Sequence, residues 1–130
     1  MNIAIVGATG NVGRKIIEIL ERKNFLVTNL YLLASSKSSG LKIIFKDKEI
    51  AVSNLENFDF SKADITFFSA GGKISEKYVP TAAKHTVVID NSSYFRMDPD
   101  VPLIVPQVNS KEITNMTVSY THLTLPTIYS

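Results

Sequence analysis

The sequence of 130 residues contains no cysteine and no tryptophan. Without cysteine, the chain can form no disulfide bond, no thiolate metal site and no thiol nucleophile. No apolar run approaches the roughly 20 residues that a membrane-spanning helix needs. The first residues also lack the basic segment and long apolar run of a signal peptide. We therefore expect a cytoplasmic protein that has no membrane partner.

An excess of charge of one sign is also missing. Lys and Arg together number 14 and Asp and Glu number 12, which leaves a formal net charge of +2. Asp47 and Glu49 interrupt the lysines between positions 37 and 48, so this segment is typical of a solvated surface. We expect no nucleic-acid partner. With 45% hydrophobic and 20% charged residues, the composition indicates one compact domain.

Apolar patterns along the chain alternate between strand-like and helix-like periods. The continuous apolar run at 3–6 predicts a strand buried on both faces, and Val12, Ile16, Ile17 and Leu20 recur at helical spacing. Further strands are predicted at 29–34, 65–68 and 87–89, and a hairpin is predicted at 41–53 with its turn at 46–48. Helices are predicted at 74–84, despite Pro80, and from Asn109 onward. This order predicts an α/β fold with a doubly wound, Rossmann-like, mostly parallel sheet and a small hairpin.

Three glycines mark the junction between the first strand and the first helix. Gly7, Gly10 and Gly13 form a G-x-x-G-x-x-G spacing, a variant of the dinucleotide-binding fingerprint. Gly7 permits a tight exit from the strand, Gly10 lets backbone approach a pyrophosphate, and Gly13 lets the helix pack closely. The glycine pattern alone would also fit an ordinary turn. Its position between a strand and a helix favours dinucleotide binding by the turn, whose predicted contacts also include Thr9, Asn11 and Val12.

The segment after the second strand predicts which dinucleotide is bound. An NAD-selective protein usually has Asp or Glu there to hold the ribose 2′-hydroxyl. This chain has Ser35, Lys37 and Ser38 and no acid, so a lysine and hydroxyls are available for a 2′-phosphate. A flexible polar loop would have the same composition. Together with the glycine motif, the segment favours NADP.

Two later strands end in small or polar residues, at the edge where open α/β sheets bind ligands. Ser69, Ala70 and Gly71 follow the strand at 65–68, and we predict that they contact the cofactor. Asn91 follows the strand at 87–89 and can offer an amide, and Arg96 can hold an anion in a bidentate manner. We predict no metal site, and neither His85 nor His122 has a plausible nucleophile nearby.

The last residues, 117–130, do not continue this pattern. Thr, Ser and Tyr alternate with single apolar residues, and the string VSYTHLTLPT at 118–127 resembles translated sequencing-adapter read-through. We therefore expect a domain at 1–116 and a non-native tail at 117–130. A short terminal strand is the alternative interpretation of the same alternation.

Taken together, these motifs resemble the aspartate-semialdehyde dehydrogenase family over residues 1–113. The matching segments are VGATGNVG at 6–13, ASSKSSG at 34–40, FSAG at 68–71, VIDNSSYFR at 88–96 and DPDVPLIVPQVN at 98–109. Gln107 stands where the family usually has glutamate. The resemblance implies that 9–13 contact the pyrophosphate, that Ser35, Lys37 and Ser38 contact the 2′-phosphate, and that Arg96 binds the substrate phosphate.

The same resemblance implies an oxidoreductase of lysine, threonine and methionine biosynthesis. Family members convert aspartyl phosphate and NADPH to aspartate semialdehyde and phosphate through a cysteine acyl-enzyme, with a distant histidine that handles protons. Neither that cysteine nor that histidine is expected in this chain, so we expect an inactive N-terminal part of an enzyme that is homo-oligomeric at full length. The alternatives are a non-catalytic NADP-sensing module and part of an acyl-glutamyl-phosphate reductase.

Overall fold

The computed structural model describes residues 1–94 and 122–124. The predicted anion-binding Arg96 and the predicted helix after Asn109 lie outside the described residues.

The described part of the chain forms one sheet with two α-helices and three short 3-10 turns. Strands and helices follow in the order β1 Asn2–Val6, α1 Asn11–Arg22, β2 Asn29–Ala34, β3 Lys42–Phe45, β4 Lys48–Asn54, β5 Ile65–Phe68, α2 Gly72–Ala82, β6 Val87–Asp90 and β7 His122–Thr124, with 3-10 turns at Ser36–Ser38, Leu55–Asn57 and Phe60–Lys62. Across the sheet the strands lie in the order β3-β4-β2-β1-β5-β6-β7. Among the strand pairs of the described residues, only β3/β4 is antiparallel.

The two helices cover opposite faces of the sheet. In one core, Ile17 and Leu20 of α1 lie with Ile3 and Ile5 of β1, and in the other, Val79 of α2 lies with the intervening β1 residues, Ala4 and Val6. Alternate residues of a strand point to opposite faces, so β1 is covered on both sides. The chain leaves β1 in one direction to reach β2 and later returns to β5 on its other side. This reversal confirms the doubly wound fold, with the topological switch point between β1 and β5.

Most predicted elements are confirmed, and their differences from prediction are local. Phe45 pairs directly with Lys48, so the hairpin turn contains only Lys46 and Asp47. Both residues have a positive φ, of 49° and 66°. Helix α2 begins at Gly72, two residues before the predicted start, and continues through Pro80. Val12 has the helical spacing of Ile17 and Leu20, but it is 36% exposed, whereas those two residues are buried.

Part of the predicted tail forms a strand. Residues 122–124 pair in parallel with β6, in the register Val88↔His122 and Asp90↔Thr124. A strand here is the alternative interpretation of the alternating pattern. The origin of residues 117–130 and the domain boundary at 116 stay predictions.

Candidate functional site

A cleft of about 420 Å³ runs along the carboxyl edge of the sheet, where ligands bind in open α/β folds. It extends from the end of β4 across the ends of β2 and β1 to the end of β5 and to α2. Its walls come from five segments: Val6, Gly7, Thr9 and Gly10 after β1; Ala34, Ser35 and Ser36 after β2; Asn54, Leu55 and Glu56 after β4; Ser69 and Ala70 after β5; and Ile74, Lys77 and Tyr78 of α2.

The glycine-rich turn is packed too tightly for side chains at two of its three glycines. A Cβ atom at Gly13 would lie 2.1 Å from the carbonyl oxygen of Gly7, and one at Gly7 would lie 2.7 Å from that of Ser69. Gly7 also has a φ of +87°, which disfavours any other residue. At Gly10 the nearest atom would be 3.5 Å away, an ordinary contact. Gly7 and Gly13 are thus required for packing, whereas Gly10 leaves the backbone open to the cleft.

Hydrogen bonds from both neighbouring strands hold this turn in place. The amides of Gly7 and Ala8 donate to the carbonyl of Leu33 in β2, at 2.9 and 3.2 Å. On the other side, Ser69 donates to the carbonyl of Val6 twice, from its backbone N–H at 2.9 Å and from its hydroxyl at 2.8 Å. The turn therefore keeps its shape without a ligand. Ser69 contributes as a clamp on β1, because its hydroxyl is already engaged there.

The start of α1 is suited to a negatively charged group. Gly10 is the N-cap and provides no side-chain capping bond, and the first turn of the helix contains no acidic residue. The first N–H groups of a helix have no partners within it, and the helix dipole places partial positive charge at this end. Arg14 adds a full charge nearby, and its Nε donates to the carbonyl of Thr9 at 3.1 Å. A diphosphate is the kind of ligand that such an end stabilises.

The second wall of the cleft combines the serine segment with a residue that the sequence analysis missed. Ser35 and Ser36 line the cleft, whereas the exposed Lys37 does not. Glu56 also lines it, because β4 pairs in parallel with β2 in the register Ala34↔Asn54. The side chain of Asn54 accepts a hydrogen bond from the amide of Glu56 at 3.0 Å and so shapes this turn. An acid thus does reach the cleft, but from the neighbouring strand.

Helix α2 contributes a wall that the sequence analysis also missed. Ile74, Lys77 and Tyr78 line the cleft, and the Nζ of Lys77 lies 5.3 Å from the centre of the Tyr78 ring. These residues were assigned only to a helix. Their spacing of i, i+3 and i+4 indicates that the three side chains share one face of the helix. That spacing does not show that this face lies against the cofactor cleft.

At the end of β6, polar groups are bonded to one another. Oδ1 of the buried Asp90 accepts hydrogen bonds from the hydroxyl of Ser75 at 2.9 Å and from the amide of Ser92 at 2.8 Å. The hydroxyl of Ser92 accepts from the amide of Tyr94 at 3.4 Å. Burial raises the pKa of the Tyr94 phenol, and the nearby Glu76 carboxylate raises it further. Asn91 is half-buried, and its backbone N–H donates to the carbonyl of Phe68 at 2.9 Å.

The structure separates the predicted site residues into two groups. Six predicted cofactor contacts line the cleft: Gly7, Thr9, Gly10, Ser35, Ser69 and Ala70. Six others lie beside it: Asn11, Val12 and Gly13 in the first turn of α1, Lys37 and Ser38 in the 3-10 turn after β2, and Gly71 as the N-cap of α2. The predicted substrate contact Asn91 lies at the end of β6, two strands from β1.

The described residues contain neither a membrane-spanning helix nor a cluster of metal-binding side chains. No helix in residues 1–94 has both the length and the apolar character needed to cross a membrane. Within the same part of the chain, no three His, Asp or Glu side chains are grouped so that they could hold a metal ion.

Comparison with known protein families gives one match that covers most of the chain. The family described as "Semialdehyde dehydrogenase, NAD binding domain" matches residues 2–116.

Individual relatives are considerably longer than this chain. An aspartate-semialdehyde dehydrogenase from Shewanella sp. (strain DB6705) is 49% identical over 115 residues, which are 88% of this chain and 34% of the relative. The enzyme of the same name from Aquifex aeolicus is 53% identical over 114 residues, 85% of this chain and 33% of the relative. The chain spans about a third of the length of the curated relatives it matches.

A solved structure agrees closely with the fold. The crystal structure of aspartate semialdehyde dehydrogenase II complexed with ASA, from Vibrio cholerae, superposes with a TM-score of 0.91 at 45% identity. The superposition covers 96% of this chain and 41% of that one.

Proposed function

The chain belongs to the semialdehyde dehydrogenase family, whose NAD-binding domain it matches, and on that premise we propose that it is the NADP-binding part of an aspartate-semialdehyde dehydrogenase. The observation that carries the proposal is the cleft at the switch point of the sheet. It combines a rigid glycine-rich turn with a helix start that favours anions. The relatives' names supply the substrate class.

In this proposal the glycine-rich turn holds the diphosphate of the cofactor. The site fits that group, because Gly10 leaves the backbone accessible and Arg14 brings positive charge to the turn through Thr9. Bound there, the dinucleotide supplies a hydride at its nicotinamide. The role of this chain is to bind and orient it, with Ser69 fixing the turn and Ile74 and Tyr78 providing a partly apolar wall.

The preference for NADP over NAD rests on the segment after β2. Ser35 and Ser36 offer hydroxyls to a 2′-phosphate, and Lys37, next to Ser36 in the chain, adds a positive charge to this segment. Glu56 acts in the opposite sense, since a carboxylate repels a phosphate and accepts bonds from ribose hydroxyls. In our proposal the serines and Lys37 outweigh Glu56, so the site prefers NADP.

The proposed reaction needs groups that this chain does not contain. By its resemblance to the family, the enzyme forms an acyl-enzyme on a cysteine, and this sequence has no cysteine. We therefore assign the thiol and the proton-handling histidine to the part of the relatives' length that the chain does not span. Alone, the chain binds the cofactor and does not catalyse the reaction.

The test is an assay of the protein extended to the length of its relatives. We expect phosphate-dependent reduction of NADP in the presence of aspartate semialdehyde, and much slower reduction of NAD. Binding of NADPH without any turnover would instead support a sensing module. Turnover of an acyl-glutamyl semialdehyde and not of aspartate semialdehyde would support the related reductase. Absence of NADPH binding would refute all three functions.

A further inference from the structure

Asp90, the last residue of β6, is a fully buried carboxylate next to the proposed substrate segment. Its exposure is 0%, as is that of Ser75. An ionised group away from water is costly unless hydrogen-bond donors compensate for its lost hydration. Its Oδ1 has two such donors, the hydroxyl of Ser75 and the amide of Ser92. The carboxylate therefore constrains both groups to stay close to it.

These two donors belong to different parts of the site. Ser75 lies on the buried side of α2, and its neighbours Ile74, Lys77 and Tyr78 form a wall of the cofactor cleft. Ser92 lies in the segment that starts at Asn91, the proposed substrate contact. One carboxylate oxygen thus connects the helix beside the cofactor to the chain that follows β6.

The segment after β6 also touches α2 farther along, because Tyr94 lies close to Gly72 and its phenol lies beside the Glu76 carboxylate. The amide of Asn91 extends the strand pairing to Phe68, and the hydroxyl of Ser92 accepts the amide of Tyr94 at 3.4 Å, a long bond within the segment itself. At the start of the segment, the hydrogen bond from Ser75 to Asp90 is a side-chain link to α2. Helix α2 has independent support, since Val79 and Ala82 are buried in the core.

We propose that Asp90 and Ser75 are positioning residues, which hold the segment from Asn91 against α2 and so align the substrate with the cofactor. The inference rests on the proposed function, because that function assigns substrate binding to this segment. Loss of the Ser75 hydroxyl would loosen the start of the segment, at Asn91 and Ser92, while α2 and the cofactor cleft stay in place. Substrate affinity should then fall much more than cofactor affinity.

The matched control is a second buried side-chain hydrogen bond, which joins β5 to the residue just before β6. The hydroxyls of Thr66 in β5 and Thr86 just before β6 lie 3.2 Å apart, at 0% and 6% exposure. This pair lies toward the amino edge of the sheet, away from the cleft. Thr86→Val keeps the shape of the side chain and removes one hydroxyl, as Ser75→Ala does, so both variants leave a buried polar partner behind.

The experiment uses the protein extended to the length of its relatives. We expect Ser75→Ala to raise KM for aspartate semialdehyde and for phosphate about 10-fold or more, with the Kd for NADPH within about 2-fold of wild type. Thr86→Val should lower the melting temperature and leave both KM values within about 2-fold. Ser75→Cys, of similar size with a weaker donor, should give an intermediate KM and provides the comparison if Ser75→Ala does not fold.

Amide hydrogen exchange gives a second measurement that does not depend on activity. In Ser75→Ala, the amides of Ser92 and Tyr94 should exchange at least about 10-fold faster, and Thr86→Val should not change them. Unchanged exchange, or equal KM changes in both variants, would overturn the inference. A wild-type protein without activity would refute the proposed function instead, and the exchange rates would still decide whether Ser75 holds the segment.

Discussion

Gly7, Gly10 and Gly13 share one motif but differ in the reason for being glycine. The spacing of the motif predicted a turn, a phosphate approach and a helix contact in that order. The distances support the first and third reasons sterically, because a Cβ at Gly7 or Gly13 would collide with backbone. Gly10 has room for a methyl group, so its role concerns a ligand and not the fold.

Gly13→Ala should therefore destabilise the fold much more than Gly10→Ala. Since the added Cβ would lie 2.1 Å from the Gly7 carbonyl oxygen, α1 must move away from the turn. We expect a loss of about 3 kcal/mol in the free energy of unfolding, measured by urea denaturation. Gly10→Ala, with 3.5 Å of space, should lose less than about 1 kcal/mol and still weaken NADPH binding. Equal losses of stability would contradict this assignment.

Charge at the cleft is more complex than the sequence indicated. The segment after the second strand contains a lysine and no acid. In the structure, Glu56 and Lys77 line the cleft from β4 and α2, whereas Lys37 lies beside it. A prediction about coenzyme choice must therefore separate the local effect of Lys37 from the field of these other charges.

Lys37→Glu should weaken NADPH binding by about 2 kcal/mol, because a carboxylate there repels a 2′-phosphate. NADH lacks that phosphate, so its affinity should change little, and titration calorimetry with both coenzymes measures the difference. Lys73→Glu is the control, because Lys73 is exposed on α2 outside the cleft and changes the net charge equally. An unchanged NADPH affinity, or a loss shared by Lys73→Glu, would rule out Lys37 as the 2′-phosphate residue.

Among the elements, the β3/β4 hairpin differs most from its predicted form. The sequence suggested a three-residue connection, and the structure has two residues at positive φ. Positive φ at both central positions is typical of a type I′ turn, which matches the twist of the flanking strands. Lys46 also fastens the hairpin to the end of α1, as its amide donates to Glu21 and its Nζ donates to the carbonyl of Phe25.

Asp47→Gly should stabilise the hairpin. A non-glycine residue in the left-handed region costs about 1 kcal/mol or more, and glycine avoids that cost. Part of the gain is lost because glycine adds freedom to the unfolded chain, so we expect a net increase of about 0.5 kcal/mol in the free energy of unfolding. Lys46→Gly removes a similar strain but also the bond to Phe25, so it should gain less in the same denaturation experiment. A larger gain from Lys46→Gly would contradict the role of that bond.

At the scale of the whole molecule, the cleft is built within one continuous part of the chain. All of its lining residues lie between Val6 and Tyr78, and they come from five segments that parallel pairing brings to one edge. The chain spans about a third of its relatives' length, and this third contains the glycine-rich turn, the serine segment and the face of α2 that line the cleft. Cofactor binding should therefore not need the remaining two thirds.

The 130-residue chain should consequently be stabilised by NADPH alone. A ligand that binds only the folded state at 100 times its Kd adds about 2.7 kcal/mol to the free energy of unfolding. Thermal melts at increasing NADPH should show a concentration-dependent rise in Tm, and nicotinamide mononucleotide, which lacks the adenosine half, should have a smaller effect. No rise at saturating NADPH would mean that the cleft needs residues beyond this chain.

The sequence by itself determined the order of strands and helices and the place of the glycine-rich turn. Both depend on local physical rules: the apolar period separates strand from helix, and close backbone packing requires glycine. Only the tertiary structure decided what lies opposite that turn. The register Ala34↔Asn54 brings Glu56 to the same cleft as Ser35, and the packing of α2 brings Lys77 to the cleft and Ser75 to Asp90. These pairs are 15 or more residues apart in sequence, so no local pattern encodes them, and sheet pairing and core packing bring them together.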